Sequence, residues 1–136
     1  MGNIISEVAC GIKISDGAST HVINNLISNC SKGVLCYGSD ARFINNTIVN
    51  CTYEGFSCFW TCNPEIINSI IWGNSPNINY EAQVSFTNSC IEARIPINST
   101  DLGGNISRNP CFKDSIDFNL AIFSLVLMSG QLILQV

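Results

Sequence analysis

Val22-Ile23-Asn24-Asn25-Leu26-Ile27 returns as Phe43-Ile44-Asn45-Asn46-Thr47-Ile48 and again as Ile66-Ile67-Asn68-Ser69-Ile70-Ile71. A weaker copy follows at Phe86-Thr87-Asn88-Ser89-Cys90-Ile91, and a partial one opens the chain at Gly2-Asn3-Ile4-Ile5. The spacing is roughly 21 residues, a period at which each repeat is one structural unit that must bury its apolar face against its neighbours.

Working outward from each copy, a short strand (Leu26-Ile27, Thr47-Ile48, Ile70-Ile71) runs into a turn such as Asn29-Cys30-Ser31-Lys32-Gly33 or Gly73-Asn74-Ser75-Pro76-Asn77. A second strand then alternates in and out: Gly11-Ile12-Lys13-Ile14, Gly33-Val34-Leu35-Cys36, Gly55-Phe56-Ser57-Cys58 and Asn77-Ile78-Asn79-Tyr80. Another turn leads to a third strand ending at Val22, Phe43, Ile66 or Phe86. Period-two alternation in short runs bounded by turn residues predicts strands, and no stretch carries a capped apolar stripe of helical period. Three strands per turn, each stacked on its equivalent one turn away, predict an all-β, single-stranded parallel β-helix. A rise of about 4.8 Å per coil makes four coils roughly 19 Å tall. Residues 1–92 are expected to form the coils and residues 93–136 an irregular closing segment.

In this register Asn24, Asn45, Asn68 and Asn88 stack at a corner between strands. Asparagine tolerates left-handed backbone better than other non-glycine residues, and stacked side-chain amides can hydrogen-bond along a column. These four are the expected structural ladder. The eight cysteines also fall into columns: Cys30 over Cys51, and Cys36 over Cys58 beside Ile14. Unpaired packing as small hydrophobes and disulfides between stacked pairs are both open. The lack of any Cys-x-x-Cys pair argues against zinc.

Apolar residues make up 46% of the chain and charged ones only 12%, about half the usual charged share. With a net charge of −4 there is no basic stripe to neutralise phosphates, which argues against a nucleic-acid partner. No basic n-region or apolar h-region follows Met1. The apolar tail Leu120–Val136 is short and interrupted by Ser124, Ser129, Gly130 and Gln131, so no membrane span is expected. The first coil has no polar cap of the kind solenoid ends need. The chain is therefore expected to be the C-terminal piece of a longer protein, open to end-to-end association through uncapped coils.

Two outward columns are candidates for function. Tyr37 and Phe59 align with Ser15 and Glu81, and Trp60 lies next to them. Exposed aromatic rings suit the flat faces of sugars, or else simply stiffen the sheet. His21, the sole histidine, aligns with Arg42, Glu65 and Ser85, a weak polar cluster that reads equally as a solvated face. General acid–base work needs groups within hydrogen-bond reach, and no repeated acidic pair offers the six to eight oxygens calcium wants. No catalytic residue, metal or cofactor is assigned. Five Asn-x-Ser/Thr sequons (at Asn29, Asn45, Asn50, Asn98 and Asn105) carry little weight in a chain with 17 asparagines.

The repeats resemble those of right-handed parallel β-helix (pectate-lyase-like) proteins, in particular large multidomain surface and secreted proteins of bacteria. Ile44-Asn45-Asn46-Thr47-Ile48, Asn68-Ser69-Ile70-Ile71-Trp72-Gly73-Asn74 and Val84-Ser85-Phe86-Thr87-Asn88-Ser89-Cys90-Ile91 carry the likeness. Gly104-Asn105-Ile106-Ser107-Arg108-Asn109-Pro110-Cys111-Phe112-Lys113-Asp114 is similar to that group's closing element, and Asp117-Phe118-Asn119-Leu120 to the strand after it. The likeness implies a right-handed winding and an extracellular or cell-surface setting. Related chains continue Ser-Pro-Cys-Ile-Asp-x-Gly, whereas Ser124 here precedes Leu125-Val126-Leu127-Met128. Loss of one base from the Pro-Cys-Ile-Asp codons yields that run, so a frameshifted tail is expected. The fold itself hosts lyases, hydrolases, adhesins and spacers. Lacking paired carboxylates of the kind glycoside hydrolysis uses, the chain is expected to be a non-catalytic stalk or adhesive module touching polysaccharide or surface glycan. A fragment of a polysaccharide lyase or glycoside hydrolase is the alternative.

Overall fold

The computed structural model describes residues 2–76, 78–79, 83–92, 95, 97–115 and 118–119. The first coil contains β1 (Ile4–Ser6), β2 (Cys10–Ile14) and β3 (His21–Ile23), and the second β4 (Leu26–Ser28), β5 (Lys32–Tyr37) and β6 (Arg42–Ile44). The third contains β7 (Thr47–Val49), β8 (Phe56–Phe59) and β9 (Glu65–Ile67). β10 (Ile70–Trp72) and β11 (Ser85–Thr87) belong to the fourth, and β12 (Cys90–Ile91) and β13 (Thr100–Asp101) follow.

Each strand pairs in parallel with its equivalent one turn away, which produces three sheets. One runs β1-β4-β7-β10-β12, another β3-β6-β9-β11-β13, and the third β2-β5-β8. On the third sheet the fourth rung thins to a bridge between Phe56 and Ile78, with Asn79 N–H donating to Phe56 O at 2.9 Å. Asn77 and Tyr80, the flanks of the strand expected there, lie outside the described residues, as does the tail from Leu120 to Val136.

In-register pairing turns the repeat into columns of side chains. Ile5, Ile27, Ile48, Ile71 and Ile91 align on the first sheet, and Val22, Phe43, Ile66 and Phe86 on the second. Ile14, Cys36 and Cys58 align on the third. These columns converge in one buried core, where Phe43 and Phe56 meet edge to face at 4.8 Å. Such aromatic pairs add about 0.5–1.5 kcal/mol beyond the area they bury. Sheets buried face to face leave little room at the bends. A Cβ at Gly33 would sit 2.6 Å from Ile48 Cγ2 and against Gly55 O, so only glycine passes there.

Asn24, Asn45, Asn68 and Asn88 stand at the corner between the second and first sheets with φ of 58°, 56°, 50° and 50°. Asn68 Nδ2 donates to Asn45 Oδ1 at 2.6 Å, while Asn24 Oδ1 is enclosed without a partner. A deeper ladder runs one residue further along, through Asn25, Asn46, Ser69 and Ser89, all buried. Asn25 N–H and Nδ2 donate to Asn46 Oδ1 at 3.0 and 3.1 Å. Asn46 N–H donates to Ser69 Oγ at 3.1 Å, and Ser69 N–H to Ser89 Oγ at 3.2 Å. The end members are Asn3, which donates to Asn25 Oδ1, and Asn105, which accepts from Ser89 N–H at 2.8 Å. The left-handed residue bends the chain, and that bend aims the next side chain inward to satisfy backbone groups a corner would otherwise orphan.

The C-terminal end is closed differently. Ile106 bridges to Cys90, and Ile106 and Phe112 pack with Trp72 on a second small cluster formed by Ile70 and Cys90. Phe118 meets Phe112 edge to face at 5.3 Å.

The two asparagine columns are expected to respond differently to mutation. Asn46→Leu orphans Asn25 N–H and the Val22 carbonyl that Asn46 Nδ2 bonds at 2.8 Å, and is expected to cost about 2–5 kcal/mol. Asn24→Gly keeps the left-handed corner open and is expected to cost under about 1 kcal/mol. Urea unfolding followed by circular dichroism measures both.

Candidate functional site

The second and third rungs of the β2-β5-β8 sheet end in aromatic residues. Alternation sends Cys36 and Cys58 inward, so Tyr37 and Phe59, paired in register, emerge on the outside. Their rings stack at 5.4 Å and 22°, and Lys13 Nζ lies 5.7 Å from the Tyr37 centroid. The chain then turns in left-handed conformation, at Gly38 with φ 51° and at Trp60 with φ 64°. Left-handed geometry is ordinary for glycine and strained for a bulky indole residue. The turn holds Trp60 79% exposed with its ring 5.3 Å from Tyr37 at 54°. Beside it opens a cleft of about 300 Å³ lined by Trp60, Thr61, Cys62, Asn63 and Gln83. Asp40 Oδ1 accepts from Asn63 N–H at 3.0 Å and braces this wall. The sequence reading found Tyr37, Phe59 and Trp60 but not the cleft, which Gln83 enters from two residues before β11, the register place that Asn63 takes before β9. Glu81, expected in the same column, lies outside the described residues.

His21, Arg42, Glu65 and Ser85 occupy one in-register row on the outside of the second sheet. Arg42 Nε donates to Glu65 Oε2 at 2.7 Å, both side chains half-exposed, a pair of the kind that contributes roughly 0–1 kcal/mol. The pairing occupies the row's carboxylate with its own guanidinium. Among the described residues, no three His, Cys, Asp or Glu side chains are grouped to hold a metal ion, and no helix is long and apolar enough to cross a membrane.

All eight cysteines are unpaired, and six are buried. Cys62 Sγ–H donates to Phe59 O at 3.0 Å and its sulfur accepts from Ser39 N–H at 3.4 Å. The hydrogen bond to Cys36, together with burial, keeps the Cys58 thiol protonated far above the ordinary thiol range. Burial pushes Cys51 and Cys90 up to about 11. These are core thiols and poor nucleophiles.

Residues 1–99 match the family model described as right handed beta helix region. The chain belongs to the right-handed β-helix family. Comparison with curated proteins and with solved structures gave no match. Family membership fixes the winding sense of this β-helix, and with it the side on which each coil's outward residues appear.

The buried thiols make the β-helix sensitive to alkali in a defined direction. Cys51 and Cys90 have folded values near 11 against an ordinary 9.0. A folded pKa raised above the unfolded one gives stability that is intact below pH 9 and lost as pH climbs toward 11. The urea midpoint is expected to hold level from pH 7 to about 8.5 and then fall. Cys51→Val with Cys90→Val is expected to make that fall shallower, the part due to Cys58 remaining.

Proposed function

We propose that this β-helix is a rigid, non-catalytic module of a secreted or cell-surface protein, and that it contacts polysaccharide through Tyr37, Phe59 and Trp60. The observation that carries the reading is Trp60. A large apolar ring stands 79% exposed on a left-handed backbone with φ 64°, beside a cleft and against a stacked tyrosine. Strain of this kind costs on the order of 1–3 kcal/mol and persists where the surroundings over-determine it, commonly at ligand sites. A simple stiffening ladder would need Tyr37 and Phe59 but would have no use for an upright indole.

The arrangement suits a sugar chain. Trp60 offers an exposed apolar face beside the half-buried Tyr37, while Thr61, Asn63 and Gln83 put uncharged hydrogen-bonding groups along the cleft. A few polar groups placed beside aromatic surface is the usual composition of a small-molecule pocket. The His21–Arg42–Glu65 row favours no hydrolytic or lyase chemistry, since its one ion pair is half-exposed.

A glycan array followed by titration of the best hit, read by isothermal titration calorimetry, tests the proposal. Tyr37→Ala with Trp60→Ala is expected to weaken binding at least about tenfold, equivalent to about 1.4 kcal/mol. Arg42→Ala is expected to leave binding unchanged. Equal affinity in the aromatic double variant would remove the proposal.

A further inference from the structure

The surroundings of the Trp60 cleft carry a charge pattern. Its lining residues Trp60, Thr61, Cys62, Asn63 and Gln83 are all uncharged, and the charge fixed to its wall is a carboxylate. Asp40 is exposed, and its Oδ1 accepts from Asn63 N–H at 3.0 Å. That bond ties the group to a cleft residue, while Asp40 Oδ2 has no partner among the described residues. The neighbouring bends add to the same sign. Gly17 N–H donates to Gly38 O at 3.0 Å and Gly38 N–H to Phe59 O at 3.2 Å, so the bends of the first three coils stack along one edge. Asp16 stands exposed on that edge, its Oδ2 accepting from Ser15 Oγ at 2.9 Å. Between Asp16 and Trp60 comes Gly38, where a Cβ would meet nothing within 4 Å, so the middle bend raises no side chain there.

The cations are committed elsewhere. Of the six lysines and arginines, Arg42 is paired with Glu65 on the second sheet and Lys32 with Glu54 at 3.2 Å. Arg108 and Lys113 belong to the segment after β13, and Arg94 lies outside the described residues. Lys13 approaches the aromatic group, with Nζ over the Tyr37 ring. The sheet order β2-β5-β8 places Lys13 one rung above Tyr37 and the coil of Trp60 one rung below, so the tyrosine stands between that ammonium and the indole's coil.

We infer that the glycan held here is a neutral one, stacked on Trp60 with a hydroxyl donating to Asp40 Oδ2, and that chains bearing carboxylate or sulfate are rejected. The inference rests on the aromatic reading of the cleft and deepens it. A sugar hydroxyl that donates to a carboxylate makes a charge-assisted hydrogen bond. A sugar carboxylate in the same place sets like charges against each other. It also takes its charge into a cleft that offers amide and hydroxyl groups but, among the described residues, no cation.

An array of neutral, uronate-bearing, sialylated and sulfated chains, probed with the full protein, tests the inference. Neutral chains are expected to fill the leading ranks. Calorimetric titration then compares the leading neutral hexose chain with the same chain oxidised at C6 to the uronate. The uronate is expected to bind at least about tenfold more weakly in about 50 mM salt. Raising the salt to about 500 mM shortens the screening length to about 4 Å and is expected to close most of that gap, with the neutral affinity unmoved. Asp40→Asn keeps an oxygen for Asn63 N–H and is expected to narrow the low-salt gap at least about threefold. An unchanged gap in Asp40→Asn, or one that high salt leaves intact, would overturn the inference. Acidic chains in the leading ranks would overturn it as well, and if their binding falls in the Tyr37→Ala, Trp60→Ala variant the aromatic reading stands. No binding to any chain would overturn both.

Discussion

A chain that bends from one sheet to the next three times per coil must satisfy the backbone groups at each bend without help from a regular sheet. At the corner between the second and first sheets this is done by a pair of adjacent residues. The first takes a φ of 50–58°, and the second sends an amide or hydroxyl inward to accept a main-chain N–H from the rung above. Neither half works alone, since the inward side chain needs the bend and the bend would orphan an N–H without the side chain. The in-register pairing, the isoleucine column and the outward position of the aromatic residues all follow once the corners superimpose.

Consequences for function are geometric. Superimposed corners fix which residue of every strand faces out, and two aromatic residues at the end of neighbouring rungs then stack without any contact made for that purpose. Trp60 differs in its side chain and not in its backbone, since the same bend is left-handed in each of the first three coils, at Asp16, Gly38 and Trp60 with φ 63°, 51° and 64°. At the equivalent bend one rung earlier the chain uses Gly38. An indole at a left-handed bend that the other two coils build from aspartate and glycine is the departure from the repeat that most needs a function, and it adjoins the described cleft.

Much of this was legible in the residues. The recurrence of Asn-Asn or Asn-Ser between apolar pairs marks the corner, and alternation marks the strands, so the order of the sheets and the pairing of Arg42 with Glu65 follow from spacing alone. The inner ladder was less legible. Asn24 and Asn25 are identical in type, and the invariant member of the pair drew attention while the buried member varies between asparagine and serine. That variation is itself the clue, since only a carbonyl or hydroxyl acceptor of similar reach is tolerated there. The cleft was less legible because the link that leads into the second sheet changes length from coil to coil, spanning residues 15–20, 38–41 and 60–64, and periodicity does not place the surface such links enclose. Nor does period fix how residues beyond Ile91 return against the outside of β10 and β12, a contact made by Ile106 and Phe112.

Site-resolved amide hydrogen exchange reads the corners directly. If the rungs stack through buried acceptors, the N–H groups of Asn25, Asn46 and Ser69 exchange only through opening of the whole coil, with protection matching the β-strand core. Fast exchange at these three amides, comparable to exposed Thr61, would contradict the stacked-corner architecture.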